Sequence, residues 1–529
     1  MSETGLQLKD WKKKIERNIG EEEWVVVYSS HESTFESVAF YSALIPNKKI
    51  IKSLEEFSWD LTIGSGLPGF SSRFKDGEEV NEYYRFSTSG VEPLIFKRFF
   101  HGIKKDYCEV SEEFRHYFNL FEDRNNNRFI AIDDNGDEND VILVTDYEIK
   151  IKLKYLKEFL AVKKMNLAIF FDIYLFSEKT IEELNIKGFN KVVKGDNYIY
   201  SIGICNSNGW GNEKRKSQSW LMGKKLIAGL KDFEPKPFNQ KEDYEDFIVG
   251  SDKDGKEILS TSNSKKSSMF LTHVFFKREV LDYYYSNPEK YSVEDGCLRC
   301  GSLWILPIDN NHPKYVVVYL GDLGQNLSIK EQRRWKYFNI TPQGSGISKT
   351  ALERDFKAKF SDPERSDLYF KHKLQVFQEE WKKKFNWELF KPLPKEDVHH
   401  FKTLRIPLTN EQKEFDEQVL SLTKILIDSL NEKELKKRIK ITKENAKGID
   451  KLESFLNSEH VRFKGMLEFL RDLQELRSAG VAHIKGEKYN KIKKAFLIGE
   501  KNLSDVFDNI LVKAIQTLNS LESYFLKKK

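Results

Sequence analysis

The sequence predicts an α+β fold, in which a large, mixed and strand-rich N-terminal region is followed by an all-α C-terminal bundle. The first observation is a series of short β-branched and aromatic runs, bounded by turn residues, within the first ~400 residues. The second is a cluster of three prolines within sixteen residues, at positions 392, 394 and 407. The third is the absence of proline from the 122 residues that follow. Such a run permits long helices, because an internal proline costs about 3 kcal/mol.

Strands are predicted at several positions of the N-terminal region. Asn135-Gly136 is a strong turn signal between the apolar runs at 129–133 and 141–153, so a long hairpin is expected there. The remaining strands are predicted from short runs of the same composition, at 24–28, 167–176, 198–205 and 315–323.

The composition divides the chain into two predicted domains. Residues 1–400 are expected to form a mixed α+β region, and residues 401–529 a helical domain. Within the first region, residues 233–268 are rich in Lys, Asp, Ser, Asn and Gly, which is typical of a boundary between two lobes. A chain of 529 residues is too long for one ordinary core and favours two to four domains.

Four helices are predicted in the C-terminal domain, from apolar residues spaced by three or four. The first begins at Thr409, an N-cap candidate, with Gln412 three residues on as in a capping box. Ser504 is the cap candidate of the last helix. The second, third and fourth helices are predicted at 449–456, 467–476 and 503–525. Apolar stripes opposite Lys- and Glu-rich faces are what a small up-and-down bundle requires.

Composition and charge argue against several classes of function and location. Lys and Arg number 87 against 82 Asp and Glu, so any RNA contact must come from a local patch. No apolar run approaches the roughly 20 residues of a membrane helix, and the N-terminus lacks the apolar segment of a signal peptide. Four cysteines do not make a disulfide framework, and Cys297-x-x-Cys300 has no second pair of ligands. We therefore expect a cytoplasmic protein without membrane association, metal or cofactor.

The segment 475–489 (ELRSAGVAHIKGEKY) contains Arg477 and His483 at the end of the third predicted helix. Within a C-terminal helical bundle, this segment resembles the Arg-x(4–6)-His signature of the HEPN superfamily. In that family the arginine is usually followed by a polar residue, and the histidine commonly follows an alanine. Here Ser478 takes the polar place and an alanine precedes the histidine. The resemblance covers roughly residues 405–529.

The HEPN resemblance implies a metal-independent endoribonuclease that acts as a homodimer, with a composite site where two C-terminal bundles meet. It also implies an RNA substrate and a role in bacterial abortive infection, an antiviral defence in which the nuclease is the toxin. The large region then senses a phage-derived or nucleotide trigger, or holds the nuclease in check. The implied roles are catalysis for Arg477 and His483, orientation for Glu475 and Ser478, and RNA binding for Lys485 and Lys488.

The chemistry of the two side chains agrees with RNA cleavage. An imidazole with a pKa near 6.5 can take and return protons at neutral pH. A guanidinium can bind a phosphate through two hydrogen bonds and stabilise charge that develops on it. Six steps along a straight helix rotate by about 240°, so Arg477 and His483 share no face unless the helix ends or bends near Gly480.

Two other interpretations remain open from the sequence. The C-terminal bundle can be a non-catalytic, HEPN-like dimerisation or binding module. Alternatively, Glu148-x-Lys150, together with Asp133 or Asp140, has the outline of a metal-dependent nuclease site on the predicted hairpin. Alternating apolar residues around Glu148 also fit the solvent face of an ordinary strand.

Overall fold

The computed structural model describes residues 6–57, 69–84, 90–207, 212–231, 243–263, 265–341, 344, 346–439, 446–481 and 493–527. The chain divides into two compact units. Unit 1 comprises Met1–Asp133 and Asp137–Gln240, and unit 2 comprises Asp134–Gly136 and Lys241–Lys529. Strands dominate the N-terminal region and helices the C-terminal part, so the predicted α+β class is confirmed.

Unit 1 is built on an antiparallel sheet of eleven strands. The strands of unit 1 are β1 Trp24–Glu32, β2 Glu36–Pro46, β3 Gly69–Lys75, β4 Glu78–Tyr84, β5 Glu92–Pro93, β6 Ile95–Arg98, β7 Tyr107–Val110, β8 Phe121–Asp123, β9 Arg128–Ile132, β10 Glu138–Val144, β11 Glu148–Lys152, β12 Met165–Ser177, β13 Phe189–Lys194, β14 Tyr198–Asn206 and β15 Ser217–Ile227. The order in the sheet is β13-β14-β15-β12-β2-β1-β11-β10-β9-β8, and β5 pairs with β2. Two separate hairpins are formed by β3 with β4 and by β6 with β7.

Strand β12 confirms the strand predicted at 167–176 and lies between β2 and β15. Its side chains are buried on both faces of the sheet. Leu167 and Phe171 belong to one apolar core, and Ala168 and Phe170 to another on the opposite face. Burial on both faces explains why the sequence of this strand is a continuous apolar run and not an alternation of apolar and polar residues.

The predicted hairpin is confirmed as well. Strands β9 and β10 pair in antiparallel fashion, and β10 pairs onward with β11. Gly136 has a φ of +71°, the left-handed conformation that a tight turn needs and glycine adopts without strain. The strands predicted at 24–28 and 198–205 are present as β1 and β14.

Four short helices lie in the described part of unit 1, together with the sheet. They are α1 Lys9–Lys13, which continues as a π-helical turn over Lys14–Asn18, α2 Ile50–Ser53, α3 Glu112–Tyr117 and α4 Leu153–Lys163. Helix α4 buries Leu156, Phe159 and Leu160 against the sheet. These three residues are spaced by three and one along the helix, so they share one face.

The first part of unit 2 combines short strands with short helices. The strands are β16 Asp246–Ser251, β17 Glu257–Thr261, β18 His273–Lys277, β19 Tyr291–Glu294, β20 Cys297–Cys300, β21 Trp304–Pro307, β22 Tyr315–Tyr319 and β23 Asn339–Ile340. They form three small sheets, β16-β17, β22-β18-β23 and β19-β20-β21. The helices are α5 Asp282–Tyr285, α6 Leu320–Asn326, α7 Ile329–Tyr337 and α8 Lys349–Ala351, which continues as a π-helical turn over Leu352–Phe356.

The strand predicted at 315–323 is too long. Strand β22 ends at Tyr319, and the next residues form α6. The reason is that Leu320 and Leu323 are both buried at a spacing of three, which matches one helical face and not an alternating strand.

The C-terminal part of unit 2 is helical. Its helices are α9 Ser366–Phe385, α10 Val398–Thr403, α11 Gln412–Thr423, α12 Glu432–Arg438, α13 Gly448–Ser458, α14 Lys464–Val481 and α15 Leu503–Phe525, and α11 continues as a π-helical segment over Lys424–Asp428. Helices α11, α13, α14 and α15 correspond to the four predicted helices. The predicted caps were wrong. Helix α11 begins at Gln412 with Glu411 at its N-cap position, and the Thr409 hydroxyl donates to Glu414 instead of capping the helix. The cap of α15 is Asn502 and not Ser504.

One apolar core joins these helices, and α9 shares it. Trp381 of α9 is buried in the same cluster as Leu473 of α14 and Leu518 of α15. Lys373 of α9 also donates to Glu522 of α15 at 2.5 Å. The shared core thus reaches back before residue 401, while the domain boundary at that position stays a prediction. Within the described ranges, no helix is both long and apolar enough to cross a membrane.

Candidate functional site

Arg477 lies near the end of α14, which continues through Gly480 to Val481. The neighbouring Leu476 is buried in the bundle core, whereas the Arg477 side chain is 30% exposed. Its Nη1 donates to Oδ2 of Asp428 at 2.8 Å. The guanidinium is therefore held at the surface of the bundle, within reach of solvent.

Asp428 is the last member of a polar stripe on α11 and its π-helical continuation. The stripe consists of Ser421, Lys424 and Asp428 and spans about 10 Å, since each helical residue rises about 1.5 Å. A π-helical turn widens the spacing of side chains and occurs frequently at functional sites. Here it covers Lys424–Asp428 and so contains two of the three stripe residues, including Asp428, which contacts Arg477.

Each residue of the stripe contacts one titratable or charged group from another element. The contacts are Ser421 Oγ with His400 Nδ1 at 3.0 Å, Lys424 Nζ with Asp397 Oδ2 at 3.1 Å, and Asp428 Oδ2 with Arg477 Nη1 at 2.8 Å. The stripe thereby brings the imidazole of His400, the ammonium of Lys424 and the guanidinium of Arg477 onto one side of the bundle. We call these three residues and their partners the Arg477 cluster; the partners are Ser421, Asp397 and Asp428.

His400 of α10 is the imidazole of the Arg477 cluster, and its side chain is 12% exposed. Burial lowers the pKa of His400, and the neighbouring His399, Lys424 and Arg477 lower it further, against the opposing carboxylate of Asp397. The ring is therefore neutral at neutral pH. A neutral imidazole beside two cations can accept a proton while the cations bind an anion.

The predicted supporting residues lie on α14 beside Arg477. Ser478 is exposed, and its hydroxyl donates to the backbone carbonyl of Gln474 at 2.9 Å, one turn back. Glu475 is exposed on the same helix. The orienting roles assigned to both residues stay predictions, since the hydroxyl of Ser478 is engaged by its own helix.

The remaining predicted site residues are not placed by the structure. His483, Lys485 and Lys488 lie outside the described residues. The proximity of His483 to Arg477 therefore stays a prediction from the sequence motif.

A groove of about 380 Å³ runs beside Arg477 between α11 and α14. Its walls combine the apolar Leu420 and Leu476 with the charged Lys413 and Asp416. Burial raises the pKa of Asp416. Because Arg477 borders the groove, a bound chain can contact the guanidinium with one group and the groove with another.

The alternative site at Glu148 has a different geometry. On β11 the carboxylate of Glu148 pairs with Lys150 at 2.6 Å, while the alternate residues Ile149 and Ile151 are buried. Asp140 is bound by Arg128 at 2.8 Å. Within the described ranges, no three His, Cys, Asp or Glu side chains are grouped as metal ligands are. The positions of these residues match the solvent face of a strand.

A second polar cavity, of about 260 Å³, lies in the strand-containing part of unit 2. His273, Asp309, Arg354 and Asp355 are among its lining residues. Arg354 is paired with Asp295 at 2.6 Å. Burial raises the pKa of Asp355 and lowers that of His273. None of these residues belongs to the sequence motif at 475–489, whereas Arg477 does, so the Arg477 cluster is the stronger candidate.

Sequence reasoning missed most of the Arg477 cluster. Asp428 is 49 residues from Arg477 along the chain, and no local pattern links the two. His400 carries a weak signal, because His399 and His400 are adjacent among the three prolines in a chain with ten histidines. That signal identifies the residue but not its partner.

Comparisons of the whole chain with models of protein families, with curated proteins and with solved structures find no match. Function is therefore argued from the geometry of the Arg477 cluster and from the sequence motif that contains Arg477.

Proposed function

We propose that the C-terminal bundle is a metal-independent, HEPN-like endoribonuclease. In this proposal Arg477 binds and stabilises the reacting phosphate, and His483 transfers protons. The protein acts in the cytoplasm as the effector of a bacterial anti-phage abortive-infection system, and the N-terminal region senses the phage-derived or nucleotide trigger or regulates the nuclease.

The observation that carries the proposal is the position of Arg477. Its guanidinium lies at the surface of a helical bundle, beside a groove, and is oriented by Asp428. A guanidinium sealed in the core could not reach a substrate. The second cation of the cluster, Lys424, adds positive charge on the same side, which supports binding of a phosphodiester.

The proposed reaction needs no metal ion. The ribose 2′-hydroxyl loses its proton and attacks the adjacent phosphorus, while the bond from phosphorus to the 5′ oxygen breaks and that oxygen gains a proton. The products end in a 2′,3′-cyclic phosphate and a 5′-hydroxyl. Arg477 stabilises the negative charge that grows on the phosphate oxygens in the transition state. A homodimer that joins two C-terminal bundles provides two such arginines and two histidines.

The test is cleavage of total bacterial RNA by purified protein in the presence of EDTA. We expect wild-type protein to cleave, and the variants Arg477→Ala and His483→Ala to lose cleavage. Arg471→Ala is the matched control, because Arg471 also lies on α14 and also pairs with a carboxylate, Glu453 at 2.7 Å. The control is expected to cleave like wild type.

Two outcomes favour the alternative functions. Cleavage that EDTA abolishes and that Glu148→Gln removes favours the metal-dependent site on β11. Absence of cleavage by wild-type protein that still forms dimers favours a HEPN-like dimerisation or binding module. Either outcome contradicts the proposed function.

A further inference from the structure

The hydrogen bonds around His400 define which ring nitrogen carries its proton. The hydroxyl of Ser421 donates to the backbone carbonyl of Glu417 at 2.9 Å. Its single hydrogen is therefore already used, and its oxygen can only accept from His400 Nδ1 at 3.0 Å. In the neutral ring, Nδ1 then bears the hydrogen and Nε2 bears the lone pair.

The Nε2 atom of His400 is in contact with solvent, although the side chain as a whole is 12% exposed. It forms no hydrogen bond with any described residue, and it is not among the unpartnered atoms that are sealed from solvent. Its nearest charged partner is Oδ1 of Asp397, at 3.9 Å. That distance is too long for a hydrogen bond, but short enough for the carboxylate to stabilise an imidazolium.

We infer that His400 is a further catalytic residue of the Arg477 cluster, and that its Nε2 accepts the proton of the ribose 2′-hydroxyl. This inference rests on the proposed ribonuclease function and adds to it a general base that belongs to neither the Arg-x(5)-His motif nor its helix.

The proton balance of the step is complete. His400 Nε2 takes the proton of the 2′-hydroxyl as the 2′ oxygen forms its bond to phosphorus. The bond to the 5′ oxygen breaks, and that oxygen takes a proton from the solvent. His400 ends protonated and returns its proton to the solvent, so the proton taken up and the proton released balance. No oxidant, reductant or metal takes part.

The charged surroundings of His400 come from three elements. Asp397 precedes α10, and His399 lies next to His400 on that helix; Lys424 lies on the π-helical segment and Arg477 on α14. Three of these groups disfavour the imidazolium, and Asp397 alone favours it. Nε2 therefore stays unprotonated, and able to act as a base, down to a pH below the ordinary histidine pKa of about 6.5.

The test compares His400→Gln with His372→Gln in steady-state RNA cleavage. We expect His400→Gln to lower kcat by about 10²- to 10⁴-fold with little change in KM, as for loss of a general base. His372 is the matched control, because its Nε2 also lies near a carboxylate, Asp362 at 3.7 Å, but on α9 and outside the Arg477 cluster. His372→Gln is expected to retain the wild-type rate.

The pH profile separates a catalytic role from a structural one. The wild-type rate should fall in acid as His400 gains its proton, and the residual activity of His400→Gln should lack that acidic limb. If Arg477→Ala abolishes cleavage while His400→Gln matches wild type, this inference is wrong and the proposed function stands. If wild-type protein does not cleave RNA at all, both are wrong.

A spectroscopic measurement tests the tautomer without reference to activity. Nitrogen chemical shifts of the folded full-length protein, with His400 assigned by comparison with His400→Gln, should show a protonated Nδ1 and an unprotonated Nε2 at neutral pH. A neutral ring with its hydrogen on Nε2 would remove the base and overturn the inference.

Discussion

Asp428 fixes the position of the Arg477 guanidinium through a half-exposed ion pair of 2.8 Å. Because pairs of this exposure contribute only about 0–1 kcal/mol to stability, the substitution Asp428→Asn should leave the melting temperature nearly unchanged. Cleavage should nevertheless fall about tenfold in kcat/KM, since a phosphate clamp that is no longer oriented stabilises the transition state less well.

Glu453→Gln is the control for Asp428→Asn. Glu453 forms the same kind of ion pair with Arg471. Arg471 lies on the same helix as Arg477, and the two ion pairs are similarly exposed. Equal loss of activity in the two variants would show a general effect of surface charge and would contradict a specific role for Asp428.

Asp367 is a buried carboxyl whose ionisation contributes to the acid sensitivity of unit 2. Burial by itself raises the pKa of this carboxyl, but Arg365 and the backbone N–H of Ile406 bring the pKa to about 2. The folded-state pKa is thus below the unfolded value of about 3.9, so the stabilisation is complete above pH 4 and is lost as the pH falls from 4 to 2. It amounts to about 2 kcal/mol.

Denaturant unfolding of unit 2 at pH 7 and at pH 3 measures this contribution. Wild-type protein should lose stability between the two values, and Asp367→Asn, which lacks the titrating carboxyl, should be less stable at pH 7 and lose less on acidification. An identical loss in both proteins would refute the assignment to Asp367.

At the residue scale, the sequence could propose Arg477 as a site residue because its motif is local. The stripe could not be predicted. Ser421 and Asp428 gain their partners, His400 and Arg477, only when α10 and α14 pack against the helix that carries the stripe. Contacts between residues that are distant in sequence leave no pattern in a single chain.

At the scale of elements, Gly223 of β15 allows the closest approach of β14. A Cβ at this position lies 2.2 Å from the carbonyl oxygen of Ile199 and 2.6 Å from the Cα of Tyr200, and backbone atoms cannot rotate away. We expect Gly223→Ala to destabilise unit 1 by about 1–3 kcal/mol. Gly250→Ala is the control, because Gly250 of β16 has open space where a Cβ is added.

Thermal unfolding monitored by calorimetry distinguishes the two glycine variants. A lowered transition for Gly223→Ala and an unchanged or slightly raised one for Gly250→Ala is the expected result. If both variants melt like the wild type, the strands can separate without loss and the packing described for β14 and β15 is wrong.

The same scale shows why some elements were predictable. The strand β12 and the helices α13 and α14 have strong apolar patterns, and each was predicted within a few residues of its observed bounds. The π-helical segment Lys424–Asp428 has no such signature, because its residues fit an ordinary α-helix equally well. The early end of β22 was missed because its apolar run continues into α6.

At the scale of the whole molecule, the sequence predicted the change from strands to helices but not the extent of the C-terminal core. The proline cluster suggested a boundary near residue 401, whereas Trp381 of α9 packs with the helices beyond it. The distribution of proline shows where the chain can form long helices. It does not show which helices pack together, because that depends on tertiary structure.

The central claim is that Arg477 promotes attack of a ribose hydroxyl on the neighbouring phosphate. The most direct measurement uses an RNA oligonucleotide with one mapped cleavage site and its counterpart with a single 2′-deoxyribose on the 5′ side of the scissile phosphate. The account predicts a 2′,3′-cyclic phosphate from the all-ribose oligonucleotide and no cut at the substituted position, with no product from Arg477→Ala. Cleavage that continues at the 2′-deoxy position, or that survives Arg477→Ala, would contradict it.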